Sequence, residues 1–100
     1  MLNNAMLVGR LVSEPQIFET KKGIKSSITL AVPRSYKNEN GEYDTDFVPC
    51  ILWNGIAENT FNYCKKGDMV GVKGRIQSNE NGIELIAEKL TFLSSKKEEQ

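Results

Sequence analysis

Phe47 and Trp53 stand six residues apart in the run Asp-Phe-Val-Pro-Cys-Ile-Leu-Trp, residues 46–53, and rings of this kind at this spacing suit stacking against flat aromatic ligands. If the run is a strand, successive side chains point to opposite sides of a sheet. Val48, Cys50 and Leu52 then form one apolar face, and Phe47, Pro49, Ile51 and Trp53 a second. One oily face suffices to join a core. The second must be covered by a partner or by the flat face of a base. At a rise of about 3.3–3.4 Å per residue the two rings lie roughly 20 Å apart, room for several nucleotides. Tyr36 offers a third platform, and its phenol can hydrogen-bond to base or phosphate. Arg34 and Lys37 bracket Tyr36, while Lys73 and Arg75 share one face of a later strand. With Arg10 and Lys25 these are the candidate phosphate contacts; Lys65 and Lys66 are weaker, because a helix end already accounts for them. Taken singly, each ring could instead cap the core, bury itself in an interface or anchor a loop. The joint pattern of rings interleaved with cations on one surface favours a binding face.

Composition narrows the chemistry further. The chain has no histidine, so Ser-His-Asp and Cys-His nucleophiles are excluded, and Cys50 and Cys64 lack partners for a metal set. The two cysteines read as buried apolar residues. Glu39, Glu42, Asp44 and Asp46 fall in a turn-like, solvated stretch rather than a carboxylate pair, so no enzyme, metal or cofactor is expected. Net charge is zero but segregated: residues 1–37 carry six basic and two acidic side chains, 38–60 none and five, 61–75 four and one, and 76–100 three and five. Affinity for phosphate follows local charge, so a neutral chain can still present a basic groove. No apolar run approaches the roughly 20 residues of a membrane span, and the N-terminus lacks the pattern of a signal peptide. A cytoplasmic, nucleoid-associated protein without membrane contact is expected.

The elements that position these residues follow from periodicity. Residues 2–12 read as a first strand ending before Glu14-Pro15. After a turn at Lys21-Lys22-Gly23, residues 24–32 alternate as a second strand that Pro33 bends or ends. Asn40-Gly41 signals a hairpin into the third strand, the run at 46–53. The period then changes: Asn54 or Gly55 can cap a short helix with Ala57, Phe61 and Cys64 at i, i+4, i+7 and Gly67 as its stop. Residues 68–77 and 83–93 make two more strands around Asn81-Gly82. Three strands, a helix and two strands is the order of an all-β, five-stranded Greek-key barrel of the oligonucleotide/oligosaccharide-binding (OB) type, with the helix between strands three and four. Glycines at 9, 71 and 74 fit the sharp bends that closure needs. One domain spans residues 1–93, and 94–100 form a short polar tail expected to be disordered.

Several motifs together resemble the bacterial single-stranded DNA-binding protein family: Leu7-Val8-Gly9-Arg10-Leu11 with Glu14-Pro15, Thr29-Leu30-Ala31-Val32 before Arg34-Ser35-Tyr36, Asp46-Phe47 through Trp53, Ala57-Glu58-Asn59 running to Tyr63-Cys64-Lys65-Lys66-Gly67, and Val70-Gly71-Val72-Lys73-Gly74-Arg75-Ile76-Gln77. The likeness covers residues 1–93 in order and spacing. It implies a homotetramer, a dimer of dimers, that wraps single-stranded DNA without sequence preference during replication, recombination or repair. Family stacking positions fall on Tyr36, Phe47 and Trp53, and the first strand, from Asn3 to Gly9, would join subunits. Two departures stand out. The family's long hairpin between the last two strands is replaced by a tight turn at 78–82, and the chain ends in Lys96-Lys97-Glu98-Glu99-Gln100 instead of an acidic, hydrophobic tip, so tail-mediated recruitment of repair and replication enzymes is not carried over. A tailless member or a shortened chain would each account for that ending. Two other readings fit the same order of elements: an OB-fold primosome or replication accessory factor gripping mainly protein partners, and a structural module whose aromatics are interface core.

Overall fold

A computed structural model describes residues 1–95. Six strands and one helix follow in chain order: β1 (Ala5–Leu11), β2 (Phe18–Thr20), β3 (Gly23–Lys37), β4 (Tyr43–Trp53), α1 (Asn54–Tyr63), β5 (Met69–Asn79) and β6 (Gly82–Ser94). Five of the strands close into a ring: β1 pairs β5, β5 pairs β6, β6 pairs β4, β4 pairs β3, and β3 returns to β1 at Arg10↔Ala31 and Leu11↔Leu30. All pairings are antiparallel except β4 with β6, which runs parallel through Cys50↔Leu85 and Ile51↔Ile86. This is the expected OB barrel with its helix after the long fourth strand. The short β2, which periodicity did not suggest, folds back on the start of β3 and lies outside the ring.

Alternation fills the interior. Ile28 and Leu30 of β3, Cys50 and Leu52 of β4, Val70 and Val72 of β5, and Leu85 and Ala87 of β6 join Leu11, Ala57 and Cys64 in one core. Closure demands two close approaches. A Cβ at Gly9 would sit 2.7 Å from the Ala31 carbonyl oxygen, and one at Gly74 would collide with the carbonyl of Ile86. Gly71 is not held in this way, since a Cβ there would make only ordinary contacts.

Three local expectations are corrected. Pro33 does not end its strand: β3 continues to Lys37, because past Val32 its only neighbour is β4 and a missing N–H on the free side costs no ladder bond. The helix stops at Tyr63, short of Gly67, and Thr60 rather than Phe61 turns inward, with Phe61 exposed. No side chain caps its start; the Asn54 side-chain Oδ1 instead accepts from the Ile24 amide at 3.1 Å, tying α1 to β3. Lys65 and Lys66 consequently lie beyond the helix, and its last turn has no basic residue. Of the expected tail, Ser94 belongs to β6 and residues 96–100 lie outside the described residues.

Candidate nucleic-acid interface

The candidate face is the outer side of β3 and β4. Cross-strand partners share a face, so Lys25↔Trp53, Ser27↔Ile51, Thr29↔Pro49 and Ala31↔Phe47 form one row pointing away from the core residues Ile28, Leu30, Cys50 and Leu52. Phe47 is 63% exposed and Trp53 is half-buried at the strand's end. The Lys25 ammonium lies 5.7 Å from the Trp53 ring centroid, a cation–π contact that places a phosphate-seeking charge beside a stacking surface. A further ring, missed in the sequence, extends the row: Tyr43 is exposed, shares the odd-numbered side of β4 with Phe47, and has the Lys37 ammonium 5.8 Å from its centroid. Carrying the alternation of β4 back past Asp46 would have found it.

Tyr36 and Arg34 sit differently. The ladder slips between Pro33 and Lys37, where three residues of β3 oppose Asp44 alone. Arg34 turns to the even-numbered side of β4, donating from Nε and Nη2 to the Asp46 carboxylate at 3.1 and 2.9 Å and lying 3.7 Å from Asp44. That paired contact holds the Asp46 carboxyl below its usual 3.8 and raises the Arg34 pKa further. Alternation puts exposed Tyr36 beside Arg34, on the opposite side of the projecting ribbon from Phe47 and Trp53. The three rings of the sequence reading therefore do not share one surface.

The tip of this ribbon is built by one side chain. Asn38 Oδ1 accepts from the amides of Asn40 and Glu42 at 2.9 and 3.0 Å, and its Nδ2 donates to Asp44 at 3.1 Å, while Gly41 takes the positive φ of 78°.

A second arm faces the row. β5 and β6 stay paired to Asn79↔Gly82 around a two-residue turn, Glu80-Asn81, with Asn79 Oδ1 accepting from the Asn81 amide at 2.8 Å. The turn is as tight as expected, yet the arm is not lost: its residues and the β3–β4 row enclose a groove of about 260 Å³. Pro49 and Ile51 line it with Ser27 and Thr29, Ile51 being itself buried at 6% exposure. Asn3 braces the arm's base, donating to the Ile76 carbonyl and accepting from its amide, both at 2.8 Å.

The remaining candidate cations are spread along the outer side. Arg75 lies across from Ile86 and 3.8 Å from Glu88, Lys73 faces Lys89 on β6 and Met6 on β1, and Arg10 donates to the Gly67 carbonyl at 2.9 Å. Lys25 and Lys37 are brought to the aromatic row, Arg10 continues it onto β1 through Ala31 and Phe47, Arg75 flanks it through Ile86 and Ile51, and Lys73 lies beside Met6 of β1. Among the described residues no group of His, Cys, Asp or Glu is placed to hold a metal ion. No helix of the described residues is long and apolar enough to cross a membrane.

The closed barrel, the plugging helix and an aromatic row facing a hairpin arm define an oligonucleotide/oligosaccharide-binding domain. The chain belongs to the single-strand binding protein family, whose model matches residues 2–92. It is 44% identical to Single-stranded DNA-binding protein B of Bacillus subtilis (strain 168), over all of this chain and 97% of that one. Against Single-stranded DNA-binding protein 3 of Listeria innocua it is 42% identical over 96% of its length, and it spans 66% of that longer relative. Among solved structures it is similar to the small single-stranded DNA-binding protein from Streptomyces coelicolor, with a TM-score of 0.77, 19% identity, and 92% and 94% of the two chains covered. That last likeness concerns the fold.

Proposed function

We propose that this protein binds single-stranded DNA without sequence preference, stacking bases on Phe47 and Trp53 and neutralising phosphates with Lys25, Lys37, Lys73 and Arg75. The observation that carries the reading is the outer row of β3 and β4, where an exposed and a half-buried ring flank an apolar-floored groove with a lysine over the tryptophan. Family membership and the names of the relatives support it. Tyr36 and Arg34 contribute from the other side of the ribbon, meeting strand that wraps around its edge. Arg10, in register with Ala31 and Phe47, adds a contact at the β1 edge of the row. The protein acts as a strand-protecting factor in replication, recombination or repair, in the cytoplasm at the nucleoid, with no catalytic step and no cofactor. Protomers assemble through β1 into dimers and then a homotetramer.

Titrating oligo-thymidine while following the fluorescence of the lone tryptophan, Trp53, tests the reading. Quenching is expected, with affinity falling steeply as salt rises, at a log–log slope of about −0.7 per phosphate neutralised. Absence of both quenching and salt-sensitive binding overturns it.

A further inference from the structure

We infer that the groove under the β5–β6 arm receives a base edge rather than a phosphate, and that Glu84 makes it favour bases bearing an exocyclic amino group over thymine. The inference rests on the strand-binding reading and adds a preference within it. The groove floor is Thr29, Pro49 and Ile51; Asn81, Ile83 and Glu84 come from the arm. Its volume of about 260 Å³ falls just below the ~300–1,000 Å³ of pockets for drug-sized ligands, the scale of a single base.

Charge decides what enters. Glu84 is the charged residue of the lining, is partly buried, and its carboxylate has neither ion pair nor hydrogen bond among the described residues. It shares the outer side of β6 with Ile86, and Ile86 pairs with Ile51 of the aromatic row. The nearest cation by register is Arg75, across from Ile86, and its guanidinium is engaged with Glu88 at 3.8 Å. A phosphate placed in this groove would meet an unscreened like charge. A base edge would not. An ionised carboxylate only accepts hydrogen bonds, so it pairs with the amino groups of cytosine, adenine or guanine. Thymine offers a single N–H flanked by two carbonyl oxygens, which the carboxylate repels.

The test compares Glu84→Gln with the unaltered protein in binding to oligo-thymidine and oligo-cytidine of equal length at one fixed salt concentration. Glutamine keeps the shape but adds a donor that thymine O4 can accept, so the affinity ratio of thymidine to cytidine should rise by about 3- to 10-fold. An unchanged ratio overturns the inference, as does an equal gain for both oligomers, which would report charge repulsion alone. In both of those outcomes tight, salt-sensitive binding leaves the strand-binding reading standing. If neither oligomer binds the unaltered protein, that reading falls and this inference with it.

Discussion

Phe47 and Trp53 play the same chemical part from different surroundings, and substitution should separate them. Phe47 is 63% exposed, so Phe47→Ala should leave stability within about 0.5 kcal/mol while weakening oligo-thymidine binding by about 1–3 kcal/mol. Trp53→Ala should cost as much binding and some stability besides, because the ring is half-buried at the start of α1 and meets Lys25. Denaturant titration beside binding assays that do not rely on the tryptophan signal, such as anisotropy of a labelled oligomer, reads both. Lost assembly with Phe47→Ala would instead mark the ring as interface core. A second residue-scale expectation concerns Cys50. Burial pushes its thiol from 9.0 up to about 11, so the folded state holds this proton more tightly than the unfolded chain. That contribution is complete below pH 9 and is lost as pH rises toward 11, and thermal melts across that window should show it. At this scale the aromatic row was readable because alternation in residues 46–53 is uninterrupted. Tyr36 and Arg34 fall off the row because Pro33 does not end β3, so the alternation of Ile28, Leu30 and Val32 runs on to them, and Tyr43 joins the row because β4 starts before Asp46.

Among the elements, the barrel was readable as a pattern of periods, whereas its arms were not. Gly9 and Gly74 could be read as bends, but only the register shows that each faces a carbonyl across the sheet. Gly74→Ala should therefore destabilise by about 1–3 kcal/mol through overpacking against Ile86, whereas Gly71→Ala, whose Cβ would make only ordinary contacts, should not; chemical denaturation distinguishes them. The helix supplies a counter-case. Thr60 is 2% exposed and its hydroxyl has no hydrogen-bond partner among the described residues. Thr60→Val keeps the shape and removes a buried polar group, so stability should hold or rise by up to about 1–3 kcal/mol. A loss of stability would show that the hydroxyl does have a partner. Sequence reasoning turned Phe61 inward instead, since a ring at helical spacing outranks a threonine on hydrophobicity alone. The strand ends in the arms escaped for a related reason: beyond the barrel neither face is buried, so residues 34–37 and 78–79 lack the apolar alternation that announces a strand.

For the whole molecule the open question is what covers β1. Its odd-numbered residues face the barrel, with Leu11 in the core, while Met6 and Val8 on the even side are 78% and 54% exposed. Leu93 joins them, since Val8 and Leu93 both lie within 4 Å of a Cβ built at Gly71 between them. An apolar patch of this kind suits contact with another chain, and for the assembly proposed above the symmetric solution is a second β1. The aromatic row is on β3 and β4 and meets β1 at Arg10, opposite Ala31, so Val8, two residues earlier, can be altered without touching a stacking ring. Val8→Glu puts a charge where the isolated chain already meets water, and its effect on folding should stay within about 0.5 kcal/mol. In an assembly it would bury that charge without a partner, at about 3–5 kcal/mol for the unpaired group. Mass in solution should therefore fall to a smaller species that still unfolds cooperatively, its melt lowered only by the lost association, and affinity for short oligo-thymidine, which one protomer can hold, should persist. Persistence of the full assembly in Val8→Glu would show that β1 is not the joint and that the patch on its even side has another occupant.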